Sequence, residues 1–138
     1  LIKRLSPVAN SEFSLEVEDC FELRNPLGLH LHFIVADYSD APNSQVVLVY
    51  ASSAATNADM TTVLNPGDHP FFTKKSWIRY QNVLIVSRDQ VRKQIVRHYG
   101  KCSETVLARI QEGLTRSKFV PREIKKIYLE WRQNKLLL

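Results

Sequence analysis

The spacing of apolar residues changes at Ser87, and this change limits the fold classes open to the chain. Before Ser87, apolar side chains alternate with polar ones or form short runs, which is typical of β-strands. After it, they recur every three or four positions, which is the spacing of amphipathic helices. Strands followed by helices predict an α+β fold, because strands and helices do not alternate along the chain.

The first half of the chain predicts a small antiparallel sheet. Residues 29–37 alternate between two faces, and residues 45–51 are almost wholly apolar, as in a central strand buried on both sides. Short strands are also predicted within residues 13–23, 61–64 and 83–86. Most links between these segments are short, which favours antiparallel pairing. Residues 1–12 are predicted to form a loose arm.

The second half predicts three helices. Ser87 caps the first, which ends at Gly100; its apolar residues are Val91, Ile95 and Tyr99. Ser103 caps the second, and Pro121 takes the first position of the third. The apolar faces of the last two helices consist of Val106, Leu107, Ile110 and Leu114, and of Ile124, Ile127, Tyr128 and Trp131.

The size of the chain predicts one domain, residues 1–138, with strands in 12–86 and helices in 87–138. No apolar run approaches the roughly 20 residues of a membrane span, and no signal peptide is visible, so we expect no membrane partner. The two cysteines, Cys20 and Cys102, form neither a metal-ligand set nor a disulfide framework. Reduced thiols and a cytoplasmic location are the expectation.

The net charge of +5 is unevenly distributed. Between residues 10 and 70, Arg24 is the only lysine or arginine, and sixteen of the nineteen basic residues follow residue 70. This asymmetry favours an anionic partner, either nucleic acid or an acidic protein. Solvated basic helix faces are the alternative interpretation.

Residues 64–80 contain the densest group of chemically active side chains. Residues 65–68, Asn-Pro-Gly-Asp, have the composition of a type II turn. Metal-independent cleavage of RNA through its 2′-OH needs a proton acceptor and donor, and cations near the phosphorane. Here His69 is the candidate acid/base, Arg79 and Lys74 are the candidate cations, and Thr73 or Ser76 would hold the phosphate. Alternatively, residues 68–70 are a structural turn.

Further side chains are candidates for RNA binding. Trp77 and Tyr80 could stack on bases beside Lys75. His30 and His32 are two apart on a strand and therefore face the same side. Local hydrogen bonding on a half-exposed strand is one alternative for the two histidines. A zinc site is another, with a third ligand from His69, Asp68 or Asp37; we expect neither a metal nor another cofactor.

Several segments together resemble distant members of the PemK/MazF-like plasmid-maintenance toxins. They are residues 18–21, 28–37, 46–50, 63–71 and 76–80, so the resemblance covers roughly residues 15–86. Its strongest piece is Gly67-Asp68-His69-Pro70-Phe71, which is followed by Ser76 and, four positions after it, Tyr80.

The resemblance implies a small SH3-like antiparallel β-barrel, here followed by a three-helix C-terminal segment. It also implies metal-independent endoribonuclease activity on single-stranded RNA, dimerisation and neutralisation by an antitoxin protein. One departure concerns the Arg-Pro that such toxins carry at the start of the second core strand. Ser44-Gln45 precede Val46 here, so this arginine is absent. Such toxins also carry a Thr or Ser at the end of the third core strand. We expect Thr61 or Thr62 to supply this hydroxyl here. Either Arg79 or Lys74 supplies the missing charge, or this branch is a non-catalytic nucleic-acid- or protein-binding module in a phage or defence system.

Overall fold

The computed structural model describes residues 15–25, 28–39, 44–54 and 58–136, and the predicted arm at residues 1–12 lies outside these ranges. The described residues form an antiparallel sheet with three helices, which confirms the α+β class. The strands are β1 Asp19–Asn25, β2 Gly28–Ser39, β3 Gln45–Ser52, β4 Val63–Leu64, β5 Ser76–Ile78, β6 Leu84–Ser87 and β7 Ile95–Lys101. The helices are α1 Arg88–Gln94, α2 Glu104–Arg116 and α3 Arg122–Leu136.

Strand β3 is the centre of the sheet, as its apolar sequence predicted. The strand order is β4-β5-β3-β2-β1-β7, and β6 pairs with β3 outside this path. The first half of β3 pairs with β6 and its last two residues pair with β5. Every residue of β3 after Gln45 is buried, which confirms that this strand is covered on both faces.

The sheet is not closed into a barrel within the described ranges, so the expected SH3-like barrel is corrected to an open sheet. Strands β4 and β7 stand at opposite ends of the strand order and do not pair. The physical reason lies in β4 and β5, which have only two and three residues. Strands this short provide little of the tilted and staggered pairing that closes a sheet into a barrel.

The helix predicted from Ser87 to Gly100 is wrong in its second half. Ser87 does cap α1, because its hydroxyl accepts a hydrogen bond from the amide of Gln90 at 3.1 Å. The helix ends at Gln94, however, and Ile95–Lys101 form β7 against β1. Tertiary pairing overrides the helical spacing here, since β-branched and aromatic side chains suit a strand that completes a neighbour's hydrogen bonds. The C-terminal segment is therefore helix, strand, helix, helix.

Helices α2 and α3 pack on the same core as the strands. Ser103 caps α2 by accepting from the amide of Val106 at 3.1 Å, and α3 begins directly after Pro121. The core that they share with the sheet includes Phe33, Val49, Ile110, Leu114 and Tyr128. A second cluster, which includes Phe21, Ile34, Leu48 and Val91, lies beneath α1. Both faces of the sheet are thus partly covered.

No helix in the parts of the chain that the structure describes is long and apolar enough to cross a membrane.

Candidate functional site

The turn at residues 65–68 precedes the loop that leads to β5. The amide of Asp68 donates to the carbonyl of Asn65 at 2.9 Å, and Gly67 has φ 107°, a conformation that favours glycine. The Asp68 carboxylate accepts from the amide of Asn65 at 2.7 Å and lies 3.4 Å from the Arg109 guanidinium of α2. The turn is therefore held both by its own bonds and by α2.

His69 follows this turn but points into the protein. The residue is only 7% exposed. Its Nδ1 accepts a hydrogen bond from the amide of Phe71 at 3.0 Å, and its Nε2 lies 3.4 Å from Sγ of Cys20. Burial lowers the pKa of His69 below its usual value, so the ring is neutral at neutral pH. Both ring nitrogens are engaged within the protein, which suits a structural role better than acid/base chemistry.

A groove of about 400 Å³ lies between the start of β2, the end of β3 and the loop before β5. We call it the His30 groove. It brings together four side chains that the sequence singled out. They are His30, Thr73, Lys74 and Ser76. The remaining lining residues are Leu29, Ala51, Ser52, Ser53, Ala54, Phe71 and Phe72, so no carboxylate lines the groove among the described residues.

His30 is the histidine that lines this groove. Its ring is half-buried and packs against Tyr50 with 4.8 Å between ring centroids. Burial lowers the pKa of His30, the backbone of Gly28 opposes this, and the positive charge of Arg79 lowers it further. The ring is therefore neutral at neutral pH. Nδ1 is enclosed by protein without a hydrogen bond of normal geometry.

The two candidate cations and the two hydroxyls occupy different depths of this region. Lys74 and Thr73 are exposed. Ser76 is buried and its hydroxyl donates to the Lys74 carbonyl at 3.2 Å, which fixes the loop that carries Lys74. Arg79 is half-buried; its amide donates to the Tyr50 carbonyl at 3.0 Å and its Nε donates to Asn82 Oδ1 at 3.3 Å.

The rings proposed for base stacking lie elsewhere. Tyr80 is 0% exposed, and its hydroxyl donates to the Ile110 carbonyl at 2.7 Å and lies 2.8 Å from Thr62 Oγ1. Trp77 is also buried. No ring face of Tyr80, and little of Trp77, is open to a base. Lys75 is exposed but does not line the groove.

His32 does not line the groove. It is buried, its Nδ1 lies 3.0 Å from the His30 carbonyl, and its ring packs on Tyr50 with 5.2 Å between centroids. Burial lowers its pKa to about 4. In the described ranges, no group of three or more His, Cys, Asp or Glu residues is placed to hold a metal ion, so His30, His32 and His69 do not form a zinc site.

Sequence reasoning missed the wall of the groove that β3 supplies. Ser52 and Ser53 line it, and the Ser52 hydroxyl accepts from the amide of Ala54 at 3.1 Å. From the sequence, no role was assigned to these small polar residues. The signal that could have located this wall is the end of the apolar run at Ala51, which marks where β3 leaves the core.

No protein-family model matches the chain, and a comparison with curated proteins finds no match.

Proposed function

We propose that this protein is a toxin-like endoribonuclease that cleaves single-stranded RNA, without a metal ion, in the His30 groove. The main support is that a neutral histidine, two hydroxyls and a lysine line one groove, with the charge of Arg79 acting on the histidine. The resemblance of residues 15–86 to PemK/MazF-like toxins agrees with this chemistry. The missing arginine before Val46 has a substitute in Arg79 or Lys74.

In the proposed reaction, Nε2 of His30 accepts the proton of the 2′-OH, and the 2′ oxygen attacks the adjacent phosphorus. The bond from phosphorus to the 5′ oxygen then breaks, which leaves a 2′,3′-cyclic phosphate and a 5′-OH end. Lys74 and Arg79 stabilise the negative charge of the phosphorane. The exposed Thr73 hydroxyl holds a phosphate oxygen, and Ser76 positions the loop by its bond to the Lys74 carbonyl. Protonated His30 returns its proton to the leaving oxygen.

The role of His30 replaces the one expected for His69. A group that takes a proton from a substrate must come within hydrogen-bond reach of it, and His69 is buried with both ring nitrogens engaged. His30 lines an open groove and is kept neutral by its surroundings.

A toxin of this kind implies two protein partners, which we include in the proposal. The first is an antitoxin that neutralises the activity, and the second is another copy of the chain in a homodimer. A cytoplasmic location follows from the proposed RNA substrate. Co-expression with a neighbouring small reading frame, and the oligomeric state of the purified chain, test these two partners.

The test is cleavage of single-stranded RNA by purified protein in EDTA. We expect 2′,3′-cyclic phosphate ends, and we expect His30→Gln to lower the rate by 10²-fold or more, in line with about 10²–10⁴-fold for general acid–base catalysis. His98→Gln is the matched control, since His98 is also half-buried but lies on β7. Intact RNA with the wild type, or equal loss with both variants, would contradict the proposal.

A non-catalytic nucleic-acid- or protein-binding module is the second candidate function. The structural role of His69 favours it, because His69 belongs to the segment that carries most of the resemblance. Such a module would bind RNA in a salt-dependent manner without cleaving it. Binding that survives His30→Gln, in a wild-type protein that leaves RNA intact, would support this second candidate over the first.

A further inference from the structure

A second surface, at the junction of α2 and α3, combines an exposed aromatic ring with uncompensated positive charge. Phe119 is 47% exposed, and Nζ of Lys118 lies 5.6 Å from its ring centroid. Arg122, Lys125 and Lys126 follow on the first turns of α3. We call these five residues the Phe119 platform.

Hydrogen bonds to Ser117 hold the backbone of Phe119 and one cation of the platform at the same residue. The Ser117 hydroxyl accepts from the amide of Phe119 at 3.1 Å, while the Ser117 carbonyl accepts from Nζ of Lys125 at 3.3 Å. Ser117 is itself buried, and its hydroxyl donates to the Asp59 carboxylate at 2.6 Å. The backbone of Phe119 and the ammonium of Lys125 are therefore held at one junction, and Lys125 lines the adjoining depression together with Arg122 and Lys126.

The cations of the platform differ from most arginines of the neighbouring elements. Arg88, Arg92, Arg109 and Arg116 each form an ion pair with an aspartate or glutamate. None of the four platform cations forms an ion pair with a carboxylate that the structure describes, although Lys118 is near enough to Asp59 to lower the pKa of that carboxyl. Glu123 and Glu130 occupy helical positions next to Lys126 and still do not pair with it. The charge of the platform remains available to an anionic ligand.

We propose that the Phe119 platform binds single-stranded RNA outside the His30 groove, with a base stacked on Phe119 and the phosphates next to Arg122, Lys125 and Lys126. A flat exposed ring among cations is the combination by which proteins bind single strands without sequence preference. A peptide partner fits less well. Among the described residues, Leu129 is the only aliphatic side chain that lines the adjoining depression of about 720 Å³, whereas a helical peptide needs a row of apolar contacts.

This proposal rests on the proposed function only in naming RNA as the bound single-stranded nucleic acid. The platform itself contributes binding affinity and no catalytic group. Its role would be to hold the part of a longer RNA that extends beyond the groove. Short RNA that reaches only the groove should therefore be cleaved equally well with or without the platform.

The experiment measures binding of the full chain to a fluorescein-labelled oligouridylate of about a dozen nucleotides with 2′-O-methyl riboses, which cannot be cleaved through the 2′-OH. Phe119→Ala should weaken binding about tenfold, in the range for loss of one stacked base. Tyr38→Ala is the matched control, since Tyr38 is also 47% exposed but lies on β2. Circular dichroism of each variant checks that the fold is retained.

The charge contribution is measured by salt dependence. Replacing Arg122, Lys125 and Lys126 together by alanine should reduce the slope of log K against log salt by about 2, since each phosphate contact on a single strand contributes about 0.7. The triple variant Lys93→Ala, Arg97→Ala and Lys101→Ala removes the same charge near β7 and should leave the slope nearly unchanged. Equal slopes for wild type and the platform variant, or equal losses in both triple variants, would overturn the proposal.

Failure of this proposal can be distinguished from failure of the proposed function. If Phe119→Ala binds the long probe as the wild type does, the platform proposal is overturned while cleavage of RNA can still occur. If the wild type cleaves no RNA but the platform variants bind the probe more weakly, the platform proposal is supported and the endoribonuclease proposal is contradicted.

Discussion

Sγ of Cys20 lies 3.4 Å from Nε2 of His69, although 49 residues separate them in the chain. Sγ of Cys20 also lies 3.5 Å from the Gly100 carbonyl, so β1, β7 and the turn before the groove meet at this thiol. Burial, together with Cys102 and Asp19, raises the pKa of Cys20 to about 12, and burial lowers the pKa of His69. Both groups are neutral at neutral pH. The contact therefore joins elements of the fold and is not a thiolate–imidazolium nucleophile.

We expect His69→Ala to lower the stability of the protein and to leave the rate of RNA cleavage nearly unchanged. The change removes the acceptor of the Phe71 amide and the contact with Cys20, and it opens space in the core. The free energy of unfolding should fall by about 2 to 3 kcal/mol, measured by urea denaturation. The rate of RNA cleavage per folded molecule should stay within about twofold of wild type. A folded, fully stable variant without cleavage would restore His69 as the acid/base.

The pH dependence of cleavage should respond to Arg79. Burial comes first among the causes that lower the pKa of His30, and the charge of Arg79 acts in the same direction. A general base works in its neutral form, so the rate rises with pH through the pKa of His30. Arg79→Gln removes one lowering cause, and the acidic limb of the kcat/KM profile should therefore move to higher pH.

The control for this prediction is Lys93→Gln, which removes the same charge from α1. The measured quantity is the pH at which the acidic limb lies. The height of the profile is not used, because it falls whenever stabilisation of the phosphorane is lost. A limb that stays in place in Arg79→Gln would show that His30 is not the titrating base.

Gly113→Ala should destabilise the protein even though alanine favours helices. A Cβ at Gly113 would overlap Thr62 Oγ1 and the Tyr80 hydroxyl, which hydrogen-bond to each other at 2.8 Å. Helix propensity favours alanine by about 1 kcal/mol, whereas overpacking typically costs about 1–3 kcal/mol. The overlap should dominate because the Tyr80 hydroxyl also donates to the Ile110 carbonyl and has little room to move.

Thermal and urea unfolding of Gly113→Ala measure this balance, with Thr105→Ala on the exposed face of α2 as the control. We expect a lower melting temperature for Gly113→Ala and little change for the control. A more stable Gly113→Ala variant would mean that helix propensity dominates and that α2 can move away from the sheet.

Acid should destabilise the fold partly through His32. Its pKa is lowered to about 4 in the folded protein, mainly by burial, and an unfolded histidine has a pKa of about 6.5. Below pH about 6.5 the unfolded chain takes up a proton that folded His32 does not. Stability is therefore lost as the pH falls from about 6.5 towards about 4, by about 3 kcal/mol in total at 1.36 kcal/mol per pKa unit.

Urea denaturation across this pH range tests the contribution of His32. In His32→Gln the loss of stability on acidification should be smaller than in wild type, because the substituted side chain does not titrate. His98→Gln lowers the histidine count equally at a less buried position and should flatten the curve less. Identical pH dependence in wild type and His32→Gln would mean that His32 is protonated in the folded state.

Local sequence patterns predicted the parts of the fold that depend on neighbouring residues. Alternation gave β2, the apolar run gave β3, and Ser87 and Ser103 cap the helices that follow them. The turn at residues 65–68 has the expected hydrogen bond and a positive φ at Gly67. These features follow from backbone geometry and side-chain period, which a short stretch of sequence contains in full.

The candidate site was only partly predictable, because its members come from distant segments. Thr73, Lys74 and Ser76 were found in one dense stretch, but their neighbour His30 is more than forty residues earlier. Sequence proximity favoured His69, which the fold turns inward to Cys20. The burial of Tyr80 and Trp77 could not be predicted either. An aromatic residue next to cations in the sequence can turn its ring towards a base or towards the core.

The sequence by itself determined the α+β class, the central strand, the turn and the basic character of the C-terminal half. Only the tertiary structure decided that Ile95–Lys101 pair with β1 as a strand, that the sheet stays open in the described ranges, and that His30 rather than His69 faces the groove. The physical reason is the same in each case. Period and turn chemistry act within a few residues, whereas strand pairing and burial are set by partners that the chain meets only when it folds.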